Sequence, residues 1–322
     1  MHTHGIAAYL LRRLLLLVPL AVGVSIVVFL LASLIPGGPI AALLAGKSTD
    51  TATIEAMRQR YNLDLPLHEQ YFLWMSGVLR GDLGTSIFTG QPVGAAILER
   101  IWLTLSLNLS GVVLCLFVGT ALGIAAAVNR GTVLDRAIVS AALFLSSAPS
   151  FVLAIAGLYL LAYKLGWFPL FGIGRGGLLE TMRHLALPAL IVSISPLGFV
   201  TKMVRASMID QLDQDYVTFA RARGVPYRRV LFVHALRNAM IPILTAAGLL
   251  FVGLLTGTVF VETVFGLPGM GRLLITAVQF NDFPVMQGIV LFVAAWIVLL
   301  NLIIDALYTV VDPRVAFARA VQ

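Results

Sequence analysis

Long apolar runs separated by shorter polar stretches are the dominant pattern of this chain. Residues 14–35, 101–128, 137–163, 238–261 and 283–304 contain no Asp, Glu, Lys or Arg. A bilayer core about 30 Å thick needs roughly 20 apolar residues in helical form, so each run is long enough to cross a membrane. A sixth run, 184–201, is shorter and carries Pro188 and Pro196; it is expected to continue as a helix through Lys202 and Arg205. The pattern predicts an all-α membrane protein with six transmembrane helices. Arg12 and Arg13 precede the first run as they would a signal peptide. Its 22 residues exceed the roughly 7–15 of a cleaved apolar segment, and no small-residue cleavage site follows, so it is read as a retained span.

The two long connections differ in character. Residues 36–100 hold turn punctuation at Pro36-Gly37-Gly38-Pro39 and Gly81-Asp82-Leu83-Gly84, with an amphipathic helical stretch over 50–79 that breaks near Leu65-Pro66. Residues 207–237 are basic, with five arginines against three acids.

Composition narrows the class. Hydrophobic residues make up 59% and charged residues 11%, and the mean hydropathy is +0.96. A water-soluble domain of this size needs far more polar surface. The formal charge of +7 bears on orientation instead of nucleic acid, for which no partner is expected. With the N-terminus inside, the inside segments hold thirteen of the 22 basic residues, including Arg130, Arg136, Arg205, Arg221, Arg223, Arg228, Arg229 and Arg237, against five acids. Both termini are therefore expected in the cytoplasm, residues 36–100 outside and 207–237 inside.

Chemistry-bearing motifs are few. Gly46-Lys47-Ser48 resembles the end of a phosphate-binding loop, but position 41 is Ala41 where the motif needs glycine, and the segment follows an apolar span instead of a strand. Gly266-Leu267-Pro268-Gly269-Met270-Gly271 lacks the strand–turn–helix setting of a dinucleotide fingerprint and reads as a sharp turn into a short helix. The five histidines show no metal-ligand spacing beyond the terminal His2 and His4, and Cys115 lies in an apolar run as a small buried hydrophobe. No catalytic residues and no metal site are expected.

The informative segment runs from Asp215 to Pro242. It reads as two short helices, with Gly224 as the left-handed residue ending the first and Pro226 opening the second. Ala220 and Ala222 would allow close approach to another surface, with Val217 and Phe219 as apolar knobs flanked by arginines. A short helix docking into a groove of a cytoplasmic partner fits this pattern; a basic loop lying on anionic lipid accounts for the arginines but not for the Gly–Pro break.

This segment resembles the coupling loop of binding-protein-dependent ABC importer permeases, in the form of the dipeptide/oligopeptide/nickel branch. The general motif, Glu-Ala-Ala followed after three intervening residues by Gly, falls on Thr218, Phe219, Ala220 and Gly224, of which Ala220 and Gly224 match. The motif's Glu is absent, while Arg221-Ala222-Arg223-Gly224 followed by His234-Ala235-Leu236-Arg237-Asn238-Ala239 is the branch's own form. Further resemblances follow in order: Tyr9-Leu10-Leu11-Arg12-Arg13, Leu79-Arg80-Gly81-Asp82-Leu83-Gly84-Thr85-Ser86, Glu262 through Gly271, and Asp305 with Asp312-Pro313-Arg314. The long connection after the first span points to the first, or B-type, permease of a pair.

The resemblance implies a type I (MetI-like) importer fold in the bacterial inner membrane. Residues 1–35 would form the N-terminus and first helix, 36–96 an external region, 97–311 a core of five helices with its coupling loop at 207–237, and 312–322 a cytoplasmic tail. It implies a C-type permease, two cytoplasmic ATPase subunits or domains and an extracytoplasmic binding protein as partners, with lipid around them. ATP and magnesium would be bound by the ATPase and no cofactor by this chain. The coupling role would fall on Asp215, Val217, Phe219, Ala220, Ala222, Arg223, Gly224, His234 and Arg237. Ser106, Asn108, Ser146, Ser147, Pro149 and Ser150 could line the pathway, and Glu262, Gly266, Pro268, Gly269 and Gly271 would form an external gate. Pro149, Pro188 and Pro196 would each free a backbone carbonyl that serines or neighbouring helices could satisfy. Asp305, the one acid inside an apolar helix, is expected to pair near the membrane interface. The alternative is an ion-coupled secondary transporter, which needs paired ionisable groups at mid-membrane and usually inverted repeats; neither is evident.

Overall fold

Prolines and glycines set where the helices of this chain begin and turn. The structure, a computed structural model, describes residues 19, 21–30, 64–174 and 176–311. The terminal histidines, Gly46-Lys47-Ser48, the helical stretch expected before residue 64 and the 312–322 tail lie outside the described residues, as does the side chain of Asp305. The described residues are helical throughout, apart from turns and one isolated antiparallel bridge between Thr85 and Pro92. They divide into two compact units, 1–102 with 269–303, and 103–268 with 304–322.

In the first unit, α1 (Ala21–Leu30) lies against α2 (Leu67–Leu79). Pro66 caps α2 without contributing an N–H, which matches the expected break. Ser25 Oγ and Tyr71 Oη stand 2.9 Å apart, and Phe29 meets Tyr71 edge-on with ring centroids 5.5 Å apart. After α2 the chain turns at Gly81 and Gly84, both at φ 84°, where Asp82 Oδ1 accepts the Gly84 N–H at 2.8 Å. The buried carboxylate of Asp282, between α10 (Met270–Gln279) and α11 (Phe283–Val311), accepts from the Ser86 hydroxyl and from the N–H groups of Ile87 (3.1 Å) and Phe88 (3.3 Å). That clamp holds Phe88 stacked on Phe280 with centroids 4.0 Å apart.

The second unit is organised around two parallel helices. Helix α3 (Val93–Val128) has 36 residues and, at 1.5 Å each, measures about 54 Å, well beyond the hydrocarbon thickness. Helix α6 (Leu178–Leu212) has 35 residues and contains Pro188 and Pro196. Its continuation past Lys202 and Arg205 is as the sequence predicts. Gly111, Gly119 and Gly123 of α3 face Val192, Val200 and Val204 of α6, and the two triplets share the same spacing of eight and four. A Cβ added at these glycines would come within 2.6–2.7 Å of the valine side chains. Without water to drive them together, membrane helices associate by such close packing of small residues. Cys115, fully buried, lies on the same face between the glycines.

The expected span 137–163 is not a straight helix. Helix α4 (Val133–Ser147) stops at Ala148, and α5 (Ser150–Gly157), continued by a π-helical segment Leu158–Lys164, leaves at 96° to it. The cause is local: Ala148 and Pro149 both take extended backbone, with ψ 135° and 136°, and a residue before proline is driven out of the helical region.

From Leu212 the chain makes a short turn into α7 (Asp215–Ala222). It then passes Gly224 and Pro226 to the single turn α8 (Tyr227–Arg229), and continues through a π-helical segment, Val230–Ala235, into α9 (Leu236–Val264). Helix α9 holds the predicted 238–261 run. Three helices are long and apolar enough to cross a membrane, Val93–Val128, Leu178–Leu212 and Phe283–Leu302, or four if the bent pair is one span. That count covers the described residues only.

Candidate functional site

The elbow between α6 and α9 is built by backbone geometry first. Gly224 sits at φ 75°, the left-handed region a side chain resists, and its N–H donates to the Arg221 carbonyl at 2.9 Å. The Val225 N–H donates to the Ala220 carbonyl at 3.1 Å, closing the end of α7. Pro226, extended at ψ 137°, stands at the cap of α8. Gly224 takes the left-handed conformation that the sequence assigns to it, and Pro226 stands one residue before the first turn expected of it.

The side chains of α7 divide between two faces. Val217 is fully buried and anchors the helix to its own chain, whereas Phe219 is 67% exposed. Asp215 lies in the first turn, where a carboxylate suits the positive end of the helix. Asp215, Ala222, Arg223, Gly224 and Arg237 are exposed, and Ala220 and His234 are half-buried. The Arg221 guanidinium rests over the Tyr227 ring at 5.3 Å, bridging the two sides of the elbow. The Tyr216 hydroxyl donates to Gln211 Oε1 at 2.9 Å. What emerges is a short, pinned helix that presents one large apolar side chain and a ring of arginines to solvent.

Two charged contacts hold the root of this elbow, and sequence reasoning missed both. Arg205 grips Asp135 in a bidentate fork, Nε to Oδ1 at 2.6 Å and Nη2 to Oδ2 at 2.7 Å. The Gly131 N–H adds a third donor to Oδ2 at 2.9 Å. Arg130 donates to Asp213 Oδ2 at 2.8 Å. The partners lie 70 and 83 residues apart in the chain, so spacing gave no signal for either pair.

The expected pathway residues are scattered. Ser106, Ser147 and Pro149 are exposed, and Ser150 is half-buried. Asn108 is fully buried; its Nδ2 donates to the Thr104 carbonyl at 2.8 Å, and its Oδ1 has no hydrogen-bond partner among the described residues. Ser146 instead serves backbone, donating to the Ile194 carbonyl at 3.0 Å and accepting the Gly198 N–H at 2.7 Å. Of the expected gate residues, Glu262 is fully buried within α9 and accepts from Thr104 Oγ1 at 2.6 Å. Gly266 takes φ 64° just after α9, where the Leu267 N–H donates to the Glu262 carbonyl at 2.8 Å. Pro268 is exposed, Gly269 caps α10 and Gly271 is buried inside it. Among the described residues no group of His, Cys, Asp and Glu is arranged to hold a metal ion.

Comparison with known proteins places this geometry. Residues 119–317 match the family described as binding-protein-dependent transport system inner membrane component, and residues 6–108 match the N-terminal component of the same systems. A peptide transport system permease protein of Brucella abortus (strain 2308) is 40% identical over 314 residues, covering 96% of this chain and 99% of that one. The glutathione transport system permease protein GsiC of Salmonella typhimurium is 38% identical over 309 residues, with the same coverages. A chain from inward-facing structures of the MetNI methionine ABC transporter superposes with a TM-score of 0.55 at 16% identity, covering 67% of this chain and 96% of that chain. The last likeness concerns the fold, which is MetI-like. This chain belongs to the family of binding-protein-dependent transport system inner membrane components and is a permease subunit of an ABC importer. The ion-coupled alternative finds no support.

Proposed function

We propose that this permease carries peptides, of the class that includes glutathione, through a bacterial inner membrane as the first of two permeases enclosing one pathway. The support for the substrate class is the naming of relatives 38–40% identical across nearly the whole chain. Six spans with both termini in the cytoplasm follow from the apolar runs and the arginine distribution. An extracytoplasmic binding protein delivers substrate, a C-type permease completes the pathway, and two ATPase subunits or domains bind ATP and magnesium.

The observation that carries the coupling role is the elbow: α7 buries Val217, exposes Phe219 and ends at a left-handed Gly224. Phe219 enters a groove of the ATPase while the arginines surround its rim. Closure of the ATPases moves α7 as a body, and α6 and α9 carry that motion into the spans. Gly224→Pro tests this directly, because proline fixes φ near −65° and cannot take the observed 75°. The variant is expected to insert normally and to lose substrate-stimulated ATP hydrolysis in the reconstituted complex. Normal stimulation in that variant overturns the docking role.

A further inference from the structure

We propose that Asp135 and Arg205, with Arg130 and Asp213 beside them, form the clasp that passes the stroke of α7 into α3 and α4. The inference rests on the coupling role just proposed and adds to it the residues that transmit the motion. Helix α7 is joined to α6 by only Asp213 and Gln214 and packs on the segment Val230–Ala235 that leads into α9, so force applied at Phe219 is passed to α6 through a two-residue link as well as to α9. If α6 moved alone, Val192, Val200 and Val204 would slide out of register with Gly111, Gly119 and Gly123, and those contacts leave no slack.

The clasp prevents that slide. The turn between α3 and α4 is held at two places along α6 and its end. Arg205, one residue beyond Val204, takes the carboxylate of Asp135 on α4. Asp213, two helical turns further on and about 12 Å away along the axis, takes Arg130 at the end of α3. Two anchors on one helix resist rotation as well as translation, so α3, α4 and α6 move together.

The two pairs are unequal. Asp135 is 2% exposed, and its oxygens accept three donors: two from Arg205 and one from Gly131. Thr132 adds to the fixity of this corner by accepting the Asp135 N–H at 3.3 Å. A carboxylate this enclosed is stable only with its partner in place. Arg130 and Asp213 are more than half exposed, and such pairs are weak. The buried pair is the main link and the exposed pair a trim. All four are positioning residues, with no contact to substrate required.

The test uses the full transporter with its binding protein in proteoliposomes, measuring substrate taken up per ATP hydrolysed. Arg205→Lys keeps the charge but loses the fork, and is expected to lower that ratio roughly fivefold or more, in the range of a lost coupling interaction. Asp213→Asn, on the exposed pair, should lower it by about twofold without threatening the fold, so it stands in if the Arg205 variant fails to assemble. A purely structural role predicts less assembled complex with an unchanged ratio; that result, or an unchanged ratio for Asp213→Asn where Arg205→Lys fails to assemble, overturns the clasp. Wild-type uptake that does not depend on ATP overturns the transport reading instead, so the two failures are separable.

Discussion

Pro149 and Pro196 are the same residue in two apolar segments of one chain, and the chain treats them oppositely. At Pro149 the helix ends and the next leaves at 96°. At Pro196 helix α6 runs on for sixteen more residues to Leu212. Proline removes one backbone donor and crowds the preceding turn wherever it sits in a helix, so its own chemistry does not separate the two cases. The surroundings do. Beside Pro196, whose missing N–H leaves the Val192 carbonyl without its helical donor, the Ser146 hydroxyl from α4 bonds both the Ile194 carbonyl and the Gly198 N–H and so ties α6 to its neighbour across the proline. Gly198 lets α4 come close enough for that bridge. Beside Pro149, no neighbouring helix among the described residues supplies a comparable bridge, and Ala148 takes the extended conformation. At these two prolines, continuation goes with a neighbouring helix that bonds the adjacent backbone, and the break with an extended Ala148.

The largest test of this contrast is steric. A Cβ at Gly198 would meet Ser146 Oγ at 2.9 Å, the Ala142 carbonyl oxygen at 3.0 Å and Leu143 Cα at 3.1 Å. Two of those are backbone atoms that cannot rotate aside. Gly198→Leu is expected to separate α4 from α6 at a cost of about 3 kcal/mol, seen as a large fall in the thermal midpoint of the purified protein. Gly257→Ala in α9, where nothing among the described residues lies within 4 Å of the added carbon, serves as the control and should shift the midpoint little. Equal effects at the two glycines would show that the close approach at Gly198 has no special weight.

Ser146→Ala probes the hydroxyl itself. It removes the bridge without adding bulk, and an interhelical hydrogen bond in a membrane is worth about 0.6 kcal/mol on average, up to roughly 1.7. A loss of about 1 kcal/mol is expected. Ser147→Ala, whose hydroxyl bonds the Phe144 carbonyl of its own helix at 2.7 Å, should be near neutral. A sharper form is a double-mutant cycle with Pro196→Ala. Restoring a regular helix there should make the Ser146 bridge redundant, so the two changes together should cost less than the sum of the two alone. Strict additivity would mean that Ser146 and Pro196 act independently.

The contrast also marks where sequence reading succeeds and where it stops. Hydropathy located residues 137–163 as one apolar run because it records composition and is blind to backbone direction; the bend at Ala148-Pro149 was invisible to it. The elbow at Gly224 and Pro226 was legible because left-handed glycine and helix-opening proline are local signals, decided within a few residues. The clasp of Asp135 with Arg205 was not legible, since nothing in either neighbourhood names the other across 70 residues. The glycine stripe lies between these cases. Gly111, Cys115, Gly119 and Gly123 recur every four residues, and that spacing of small residues was a readable sign of a close helix contact. Only the structure supplies its partner, three valines at the matching interval.

The smallest effect is expected at the proline that breaks its helix. Pro149 is exposed and already extended, and as the cap of α5 it would make no intrahelical bond through its missing N–H. Pro149→Ala should therefore cost about 0.5 kcal/mol, mostly by loosening the unfolded chain. Alanine does lift the restriction on Ala148 and would allow α4 and α5 to join into one straight helix. Two anchors oppose that. Ser146 is bonded to the backbone of α6 on one side of the bend, and on the other Gly157 is packed so tightly that an added Cβ would lie 2.9 Å from Ile191. The bend should survive Pro149→Ala, with uptake close to wild type, and should straighten only when Ser146→Ala is added. Distance measurements between spin labels at Val133 and Tyr163 report the outcome directly. If Pro149→Ala alone moves those labels apart to a straight-helix separation, the proline makes the bend by itself and the neighbouring helix has no part in deciding it.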